Sequence, residues 1–134
     1  MFTEPSEVIA YIAEHEVKFL DLRFTDLPGI QQHFNIPASM VDDEFFEIGQ
    51  LFDGSSMRGF ASIDNSDLQL IPDVTTAYID PFRTEKTLIM IFDIYNPRTG
   101  EIYPRDPRQV AKKAEAYLCL LYTSPSPRDR QKSR

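Results

Sequence analysis

The 134-residue sequence has little cysteine and little positive charge, and each shortage excludes a class of protein. A single cysteine, Cys119, forms no internal disulfide and supplies no cysteine cluster for a structural metal. There are 14 Lys and Arg against 21 Asp and Glu, and the net charge of −7 argues against nucleic acid as a partner. No apolar run approaches the roughly 20 residues of a membrane span, so we expect no membrane association.

What is present is typical of one small domain with its own core. Hydrophobic residues make up 42% of the sequence and charged residues 26%. The acidic start, Met1–Glu7, lacks the positive charge of a signal peptide, and together with the lone cysteine this favours the reducing cytoplasm. The charge is unevenly spread. Residues 1–118 hold 10 Lys and Arg against 20 Asp and Glu, whereas residues 119–134 hold 4 against 1.

The first part of the chain predicts a helix followed by a β-hairpin. Pro5 suits the first turn of a helix, and an apolar face at helical spacing extends that helix to about residues 15–16. Val17–Thr25 then alternates between apolar and polar side chains, as a strand does. Leu27–Gly29 is a turn signal, and a second period-two run follows it, so residues 17–36 form a predicted hairpin.

The middle of the chain predicts a short helix over residues 41–48, which Gly49 ends. Residues 50–66 are expected to form a long loop, a feature that is more often functional than idle. Two extended pieces come next: Asp67–Ile71, ended by Pro72, and Ala77–Ile79.

The last part of the chain predicts the centre of the sheet and a final helix. Thr87–Tyr95 is almost wholly apolar, so we expect a central strand that is buried on both faces. Residues 96–100 form a turn, and Asp106 caps a helix that begins with Pro107 and runs through residue 118. Helices that pack on a small mixed sheet built on an N-terminal hairpin form an α+β roll.

The most specific motif lies in the predicted loop. Phe52–Ser56 reads Phe-Asp-Gly-Ser-Ser, and Asn65–Leu70 reads Asn-Ser-Asp-Leu-Gln-Leu. Taken alone, Asp53 is most simply an Asx-turn residue that hydrogen-bonds its own backbone. Glycine at position 54 is expected to permit a tight turn, so that the short Asp53 side chain projects from the loop tip.

Together, the two segments resemble the N-terminal signature of bacterial type I glutamine synthetases. The resemblance runs without a break from about residue 5 to residue 118, which makes an accidental match very improbable. Further matching blocks are residues 15–19 (His-Glu-Val-Lys-Phe), 21–26 (Asp-Leu-Arg-Phe-Thr-Asp), 44–46 (Glu-Phe-Phe), 79–82 (Ile-Asp-Pro-Phe) and 105–108 (Arg-Asp-Pro-Arg).

This resemblance implies a β-grasp-like domain and a ligase reaction. In the family, ATP converts glutamate to γ-glutamyl phosphate, and ammonia then displaces the phosphate to give glutamine. The active site lies between subunits of a ring-shaped homo-oligomer, a dodecamer of two stacked rings. A larger domain binds ATP and Mg²⁺ or Mn²⁺, so we expect no cofactor or metal on this part of the enzyme. Consistent with that, His15 and His33 belong to no ligand cluster.

The resemblance also implies the site residues, Asp53 and Ser56. Asp53 is implied to bind ammonium and to accept its proton. A fixed carboxylate suits that role, because ammonium is a poor nucleophile until it loses a proton. For Ser56, a role in bracing the loop and a contact at the subunit edge both remain open. A nucleophilic serine is not expected, since no His or Lys base lies beside it in the motif.

Other polar and aromatic residues have simpler interpretations. Asp67 is expected to open a strand rather than to pair with a basic residue across a subunit interface. Arg58 is expected to lie on the surface rather than to face an anionic substrate. Phe60 is expected to pack the loop. Arg105 and Arg108 flank a helix start, so we expect them to fix that corner of the fold or an interface.

The sequence leaves its end and its exact activity open. Residues 119–134 resemble translated sequencing-adapter read-through, so we expect a non-native or disordered tail after a truncated N-terminal domain of residues 1–118. Alone, that domain is expected to be inactive. Two alternatives remain: a γ-glutamyl ligase of the same family that uses an amine or polyamine, and a stand-alone β-grasp interaction module without activity.

Overall fold

The computed structural model describes residues 1–121 of the protein, a mixed sheet with helices packed against it. Three short 3₁₀ turns, Ala38–Met40, Gly54–Ser56 and Ile63–Asn65, lie in the connections. The helices and strands in chain order are α1 (Pro5–Glu14), β1 (Phe19–Thr25), β2 (Gln31–Pro37), α2 (Asp43–Ile48), β3 (Gln50–Asp53), β4 (Asp67–Ile79), β5 (Thr87–Tyr95) and α3 (Pro107–Leu121).

The five strands form one sheet in the order β2-β1-β5-β4-β3. Strands β1 and β5 are parallel, and all other neighbours are antiparallel. The sheet is curled. Strands β1 and β3 are separated in the sheet by β5 and β4, yet the ring of Phe24 on β1 lies 5.1 Å from the ring of Phe52 on β3. This curl brings the β1–β2 hairpin close to the end of β3, where the sequence motif lies.

The predicted central strand and hairpin are confirmed. Strand β5 lies in the middle of the sheet, and its even-numbered side chains from Leu88 to Ile94 are wholly buried in the core. Strand β1 buries Leu20, Leu22 and Phe24 in the same core. Both strands present a near-continuous apolar face, so burial of that face fixes their register.

Two predictions between residues 50 and 79 are wrong. Residues 50–53 are not loop but the edge strand β3, which pairs with β4 from Gln50–Leu70 to Asp53–Asp67. Pro72 does not end a strand, because β4 continues to Ile79. Pairing with β3 stops at Leu70, so Pro72 lies where β4 has no neighbour on that side, a position that tolerates the missing N–H.

The predicted break between the two extended pieces corresponds to a bulge in β4. The register against β5 shifts between Asp73 and Tyr78, and the pairing resumes beyond the shift. Within the bulge, Asp73 Oδ1 accepts hydrogen bonds from the backbone N–H and the hydroxyl of Thr75, at 3.1 and 2.6 Å. A bulge of this kind bends a strand without ending it.

The helices agree with their predictions except at three ends. Helix α2 begins at Asp43 rather than residue 41, because Asp42 is its N-cap and accepts a hydrogen bond from Phe45 N at 2.8 Å. Helix α1 ends at Glu14. Helix α3 continues to Leu121, three residues past its predicted end, since Cys119–Leu121 contains no helix breaker. The rest of the expected tail lies outside the described residues. None of the described helices is long and apolar enough to cross a membrane.

Helix α3 is attached to the sheet by buried charged groups at its start. Asp106 is almost wholly buried, and its carboxylate accepts from Ile94 N at 3.1 Å and from Arg108 N at 3.0 Å. Arg108 then reaches Asp93 at 2.7 Å and Asp73 at 2.6 Å. Burial acts to raise the pKa of Asp73, but hydrogen bonds from Thr75 and Arg108 outweigh it, so this pKa is lowered. The prediction that Arg108 fixes this corner is confirmed.

Asp106 is expected to make stability depend on pH in an unusual direction. Burial raises the pKa of Asp106 in the folded protein above its unfolded value near 3.8. The contribution of Asp106 to the free energy of unfolding is therefore complete below the unfolded pKa and is lost as the pH rises through the folded pKa. Asp106→Asn keeps only one acceptor oxygen, and we expect it to cost about 1–3 kcal/mol. Chemical unfolding of both proteins should therefore show the difference shrinking as the pH rises from 3.5 to 7. A difference that grows with pH contradicts this assignment.

Candidate functional site

The candidate site lies at the end of edge strand β3. Asp53 is the last residue of that strand and faces Asp67, the first residue of β4, across the ladder. Both residues are exposed, and Gly54–Ser56 follows as a 3₁₀ turn. The prediction that Asp67 opens a strand is confirmed. Two carboxylates therefore lie on neighbouring strands beside one turn, which makes this corner a cation-attracting part of the surface.

The turn fixes the carboxylate of Asp53. Its Oδ1 accepts from the Ser55 hydroxyl at 2.6 Å and from Ser55 N at 2.9 Å, so the Asx-turn interpretation holds for this oxygen. The Ser55 hydroxyl is the main reason why the pKa of Asp53 is lowered. Asp53 is therefore a carboxylate at neutral pH, held in one orientation by its own turn and open to solvent.

Ser56 braces the same turn from the other side. Its hydroxyl donates to the backbone carbonyl of Asp53 at 2.7 Å. The bracing role that the sequence left open is therefore present in the structure. The side chain is nevertheless exposed, so it also remains available to a neighbouring molecule.

Gly54 is required for packing rather than for backbone freedom. Its φ lies outside the left-handed region, so the expected need for a glycine-only turn is not what the structure shows. A Cβ at this position would lie 2.5 Å from Leu68 Cδ1 and 3.1 Å from Ala61 Cβ. The turn therefore packs tightly against Leu68 of β4 and against Ala61, which lies in the segment between the turn and β4.

Beside the turn is an open groove of about 240 Å³, formed because the curled sheet brings β1 and β2 near the end of β3. Its walls are mainly aromatic and apolar, and Asp53 supplies its ionised acid. The groove is lined by Phe24, Gln32, His33, Phe34, Phe52, Asp53, Ser56 and Met57. The volume suits a small polar species better than a large ligand.

A buried carboxylate on the hairpin was not apparent from the sequence. Asp21 is wholly buried on β1, with His33 Nδ1 at 2.8 Å and Arg23 Nε at 2.9 Å from its carboxylate oxygens. His33 is exposed and lines the groove, and the hydrogen bond with Asp21 orients its ring there. Period-two alternation assigns Asp21 to the outer face and gives no sign that the carboxylate is covered.

The segment after the turn is held by residues far along the chain. Phe60 is wholly buried, which confirms that it packs the loop. The hydroxyl of Tyr103 donates to the Phe60 carbonyl, and Arg105 Nη1 donates to the Gly59 carbonyl at 3.0 Å. Arg105 therefore fixes a corner of the fold as predicted, whereas Arg58 is exposed. No local sequence signal connects these groups, which are more than 40 residues apart.

Within residues 1–121, no group of three or more His, Cys, Asp or Glu side chains is arranged to hold a metal ion. Asp53 and Asp67 are two neighbouring carboxylates, and the turn Gly54–Ser56 that follows Asp53 contains no charged residue. Hard cations such as Mg²⁺ are coordinated by several oxygen ligands. An ionised carboxylate held in this way attracts small cations and is chemically able to accept a proton.

Comparisons with known proteins identify the family. The family model described as the glutamine synthetase β-grasp domain matches residues 16–97. Curated relatives include the glutamine synthetases of Frankia alni (54% identical over 118 residues, 88% of this chain) and Streptomyces coelicolor (55% over 118 residues, 88%). That of Escherichia coli K12 is 55% identical over 111 residues, 83% of this chain.

Solved structures agree on the fold. The Plasmodium falciparum glutamine synthetase covers 87% of this chain with a TM-score of 0.79 and 24% identity. A structure titled GmaS/ADP complex covers 83% with a TM-score of 0.74 and 23% identity. The α+β, β-grasp prediction is confirmed, and the chain belongs to the glutamine synthetase family as its β-grasp domain. It spans about a quarter of the length of the curated relatives.

Proposed function

We propose that the chain is the N-terminal part of a glutamate–ammonia ligase and supplies the ammonium-side turn of an active site shared between subunits. The observation that carries this proposal is the carboxylate of Asp53, which is exposed at a small groove, held by Ser55, and given a lowered pKa. Identity of 54–55% to glutamine synthetases supports the ligase class.

The chemistry assigned to Asp53 follows from the charge of ammonium. The carboxylate attracts NH₄⁺ and then takes one of its protons, which frees the nitrogen lone pair. The lone pair attacks the carbonyl carbon of γ-glutamyl phosphate, formed from glutamate and ATP. The new C–N bond replaces the C–O bond to phosphate, a second proton passes from the nitrogen to the departing phosphate, and glutamine and inorganic phosphate leave. Ser56 keeps the turn in place through the Asp53 carbonyl.

The remaining parts of the site are proposed to lie in a larger domain of a neighbouring subunit. ATP, glutamate and Mg²⁺ or Mn²⁺ would bind there. The proposed assembly is a cytoplasmic ring, a homododecamer in the full-length enzyme. Since the chain spans about a quarter of its relatives' length, we expect it to be inactive alone.

The experiment that tests the proposal is an acceptor assay on a chimeric enzyme. Residues 1–118 replace the matching segment of the Escherichia coli relative, and phosphate release is followed with glutamate and ATP. We expect activity with ammonium, and activity with methylamine or putrescine at least about tenfold lower, because a small carboxylate-lined groove favours the smallest cation.

Each rival predicts a different result in this assay. Greater activity with methylamine or putrescine would show a γ-glutamyl-amine ligase. A correctly assembled chimera without activity on any acceptor favours a β-grasp interaction module. The unmodified Escherichia coli enzyme, assayed in parallel, gives the reference rate for ammonium.

A further inference from the structure

Two residues before helix α3 hold the segment that follows the Asp53 turn. The Tyr103 hydroxyl and Arg105 Nη1 both donate to the carbonyl of Phe60, the second at 3.5 Å. Arg105 Nη1 also donates to the carbonyl of Gly59 at 3.0 Å. Two side chains of the connection between β5 and α3 thus reach the Phe60 carbonyl, and one of them also binds the carbonyl of Gly59. We call this set of contacts the Tyr103–Arg105 brace.

The braced segment is closed at its base on the Asp53 turn. Gly54 N donates to the Ser66 carbonyl at 2.8 Å, and Met57 N donates to the Gly54 carbonyl at 3.3 Å. The close approach of Ala61 to Gly54 adds a packing contact. Residues 57–66 therefore leave Gly54 and return to it, and a shift of this segment is transmitted to the turn.

An aromatic row provides a second connection between the brace and the turn. The ring of Tyr103 lies 5.3 Å from that of Phe60, and the ring of Phe60 lies 6.5 Å from that of Phe24. Phe24 in turn lies 5.1 Å from Phe52, the residue immediately before Asp53. Packed side chains transmit displacement, because interiors are dense.

We propose that Tyr103 and Arg105 are positioning residues for the Asp53 carboxylate. They act through Gly59 and Phe60 on the segment that closes on Gly54. This proposal rests on the proposed function, since the position of the Asp53 carboxylate affects activity only if Asp53 binds ammonium. It extends the candidate site by two residues that lie more than 40 positions from the motif and do not touch the groove.

The exposure of Arg105 separates positioning from simple stabilisation. Its side chain is exposed, and its described contacts are to two backbone carbonyls. Removing its charge leaves no buried ion without a partner, so a small effect on stability is expected. Its effect on the geometry of the turn is expected to be larger, since a misplacement of about 1 Å can cost roughly 100-fold in rate.

The test uses the chimeric enzyme with steady-state kinetics and thermal unfolding. Tyr103→Phe keeps the ring and removes the hydroxyl, and Arg105→Gln removes the charged donor. We expect the double variant to raise the KM for ammonium roughly tenfold, with the KM for ATP unchanged. With Tyr103 intact, Arg105→Lys should keep the KM for ammonium close to that of the unmodified chimera, because the described hydrogen bonds of Arg105 all come from Nη1 and a lysine ammonium supplies one such nitrogen. Arg98→Gln is the matched control, an exposed arginine in the Asn96–Gly100 turn.

Two outcomes overturn the proposal. Equal losses for ammonium and ATP, together with a lower melting temperature, would show a purely structural brace. Unchanged kinetics for the double variant would show that the contacts do not reach the turn. Asp53→Asn in the same enzyme separates this failure from failure of the proposed function. If that variant loses ammonium use while the double variant does not, only the brace is wrong.

Discussion

Replacing Asp53 by asparagine in the chimeric enzyme is expected to lower kcat/KM for ammonium at least about 100-fold, because a charged hydrogen-bond partner and a proton acceptor are lost together. Asparagine is nearly the same size and keeps an oxygen for the two hydrogen bonds from Ser55, so the turn should survive. The KM for ATP should stay within about twofold, since ATP is proposed to bind in the larger domain and not at Asp53.

Controls for this result come from the same chain. Asp43→Asn removes one exposed carboxylate from the first turn of α2, which does not line the groove, and should leave all constants unchanged. Asp53→Ala removes the Ser55 acceptor as well, so it should lose at least as much as the asparagine variant. Unchanged ammonium kinetics in Asp53→Asn would exclude the proposed role of this carboxylate.

The protonation of Asp53 sets a limit on the pH profile. Hydrogen bonding from Ser55 lowers the pKa of Asp53, so the carboxylate is already ionised well below neutral pH. Loss of ammonium binding through this group should therefore appear only on the acid side of its ordinary range. A fall in ammonium affinity between pH 7 and pH 6 would have to come from another group.

The elements that can be predicted from the sequence are those whose apolar pattern is long enough to distinguish a strand from a helix or a loop. Strand β5 is an almost unbroken apolar run, and the hairpin has two alternating segments around Leu27–Gly29. Strand β3 has only four residues, too few for a period to be recognised, and it forms because β4 offers it an edge. Pro72 misleads for a related reason, since its effect on a strand depends on which side has a partner.

The candidate site divides in the same way. Asp53 and Ser56 lie within one short motif, and the hydrogen bonds of the turn are local, so residue types alone indicate them. The contacts of Tyr103 and Arg105 with the loop depend on where the chain returns after β5, which no local pattern specifies. The packing role of Gly54 is likewise tertiary, because Leu68 and Ala61 supply the contacts.

Gly49→Ala is expected to destabilise the chain by at least about 3 kcal/mol, because backbone strain and a clash add at one position. Gly49 ends helix α2 with φ 72° and ψ −154°, a region that is almost confined to glycine. A Cβ there would lie 2.0 Å from the backbone oxygen of Leu70, which a side-chain rotation cannot relieve. The next residue, Gln50, pairs with Leu70, so relief of the clash must break the start of the β3–β4 ladder.

Gly100→Ala is the control for a positive φ without a clash. Gly100 also has a left-handed φ, 69°, but a Cβ there meets nothing within 4 Å, so only the conformational cost of about 1 kcal/mol is expected. Urea unfolding of the two variants should differ by about 2 kcal/mol or more, which combines the clash with β4 and the more restrictive backbone region at Gly49. Equal losses would mean that β3 moves away from Leu70 without cost. Strand β3 would then be too weakly held to fix Asp53, and the positioning of the carboxylate would have to come from the neighbouring subunit.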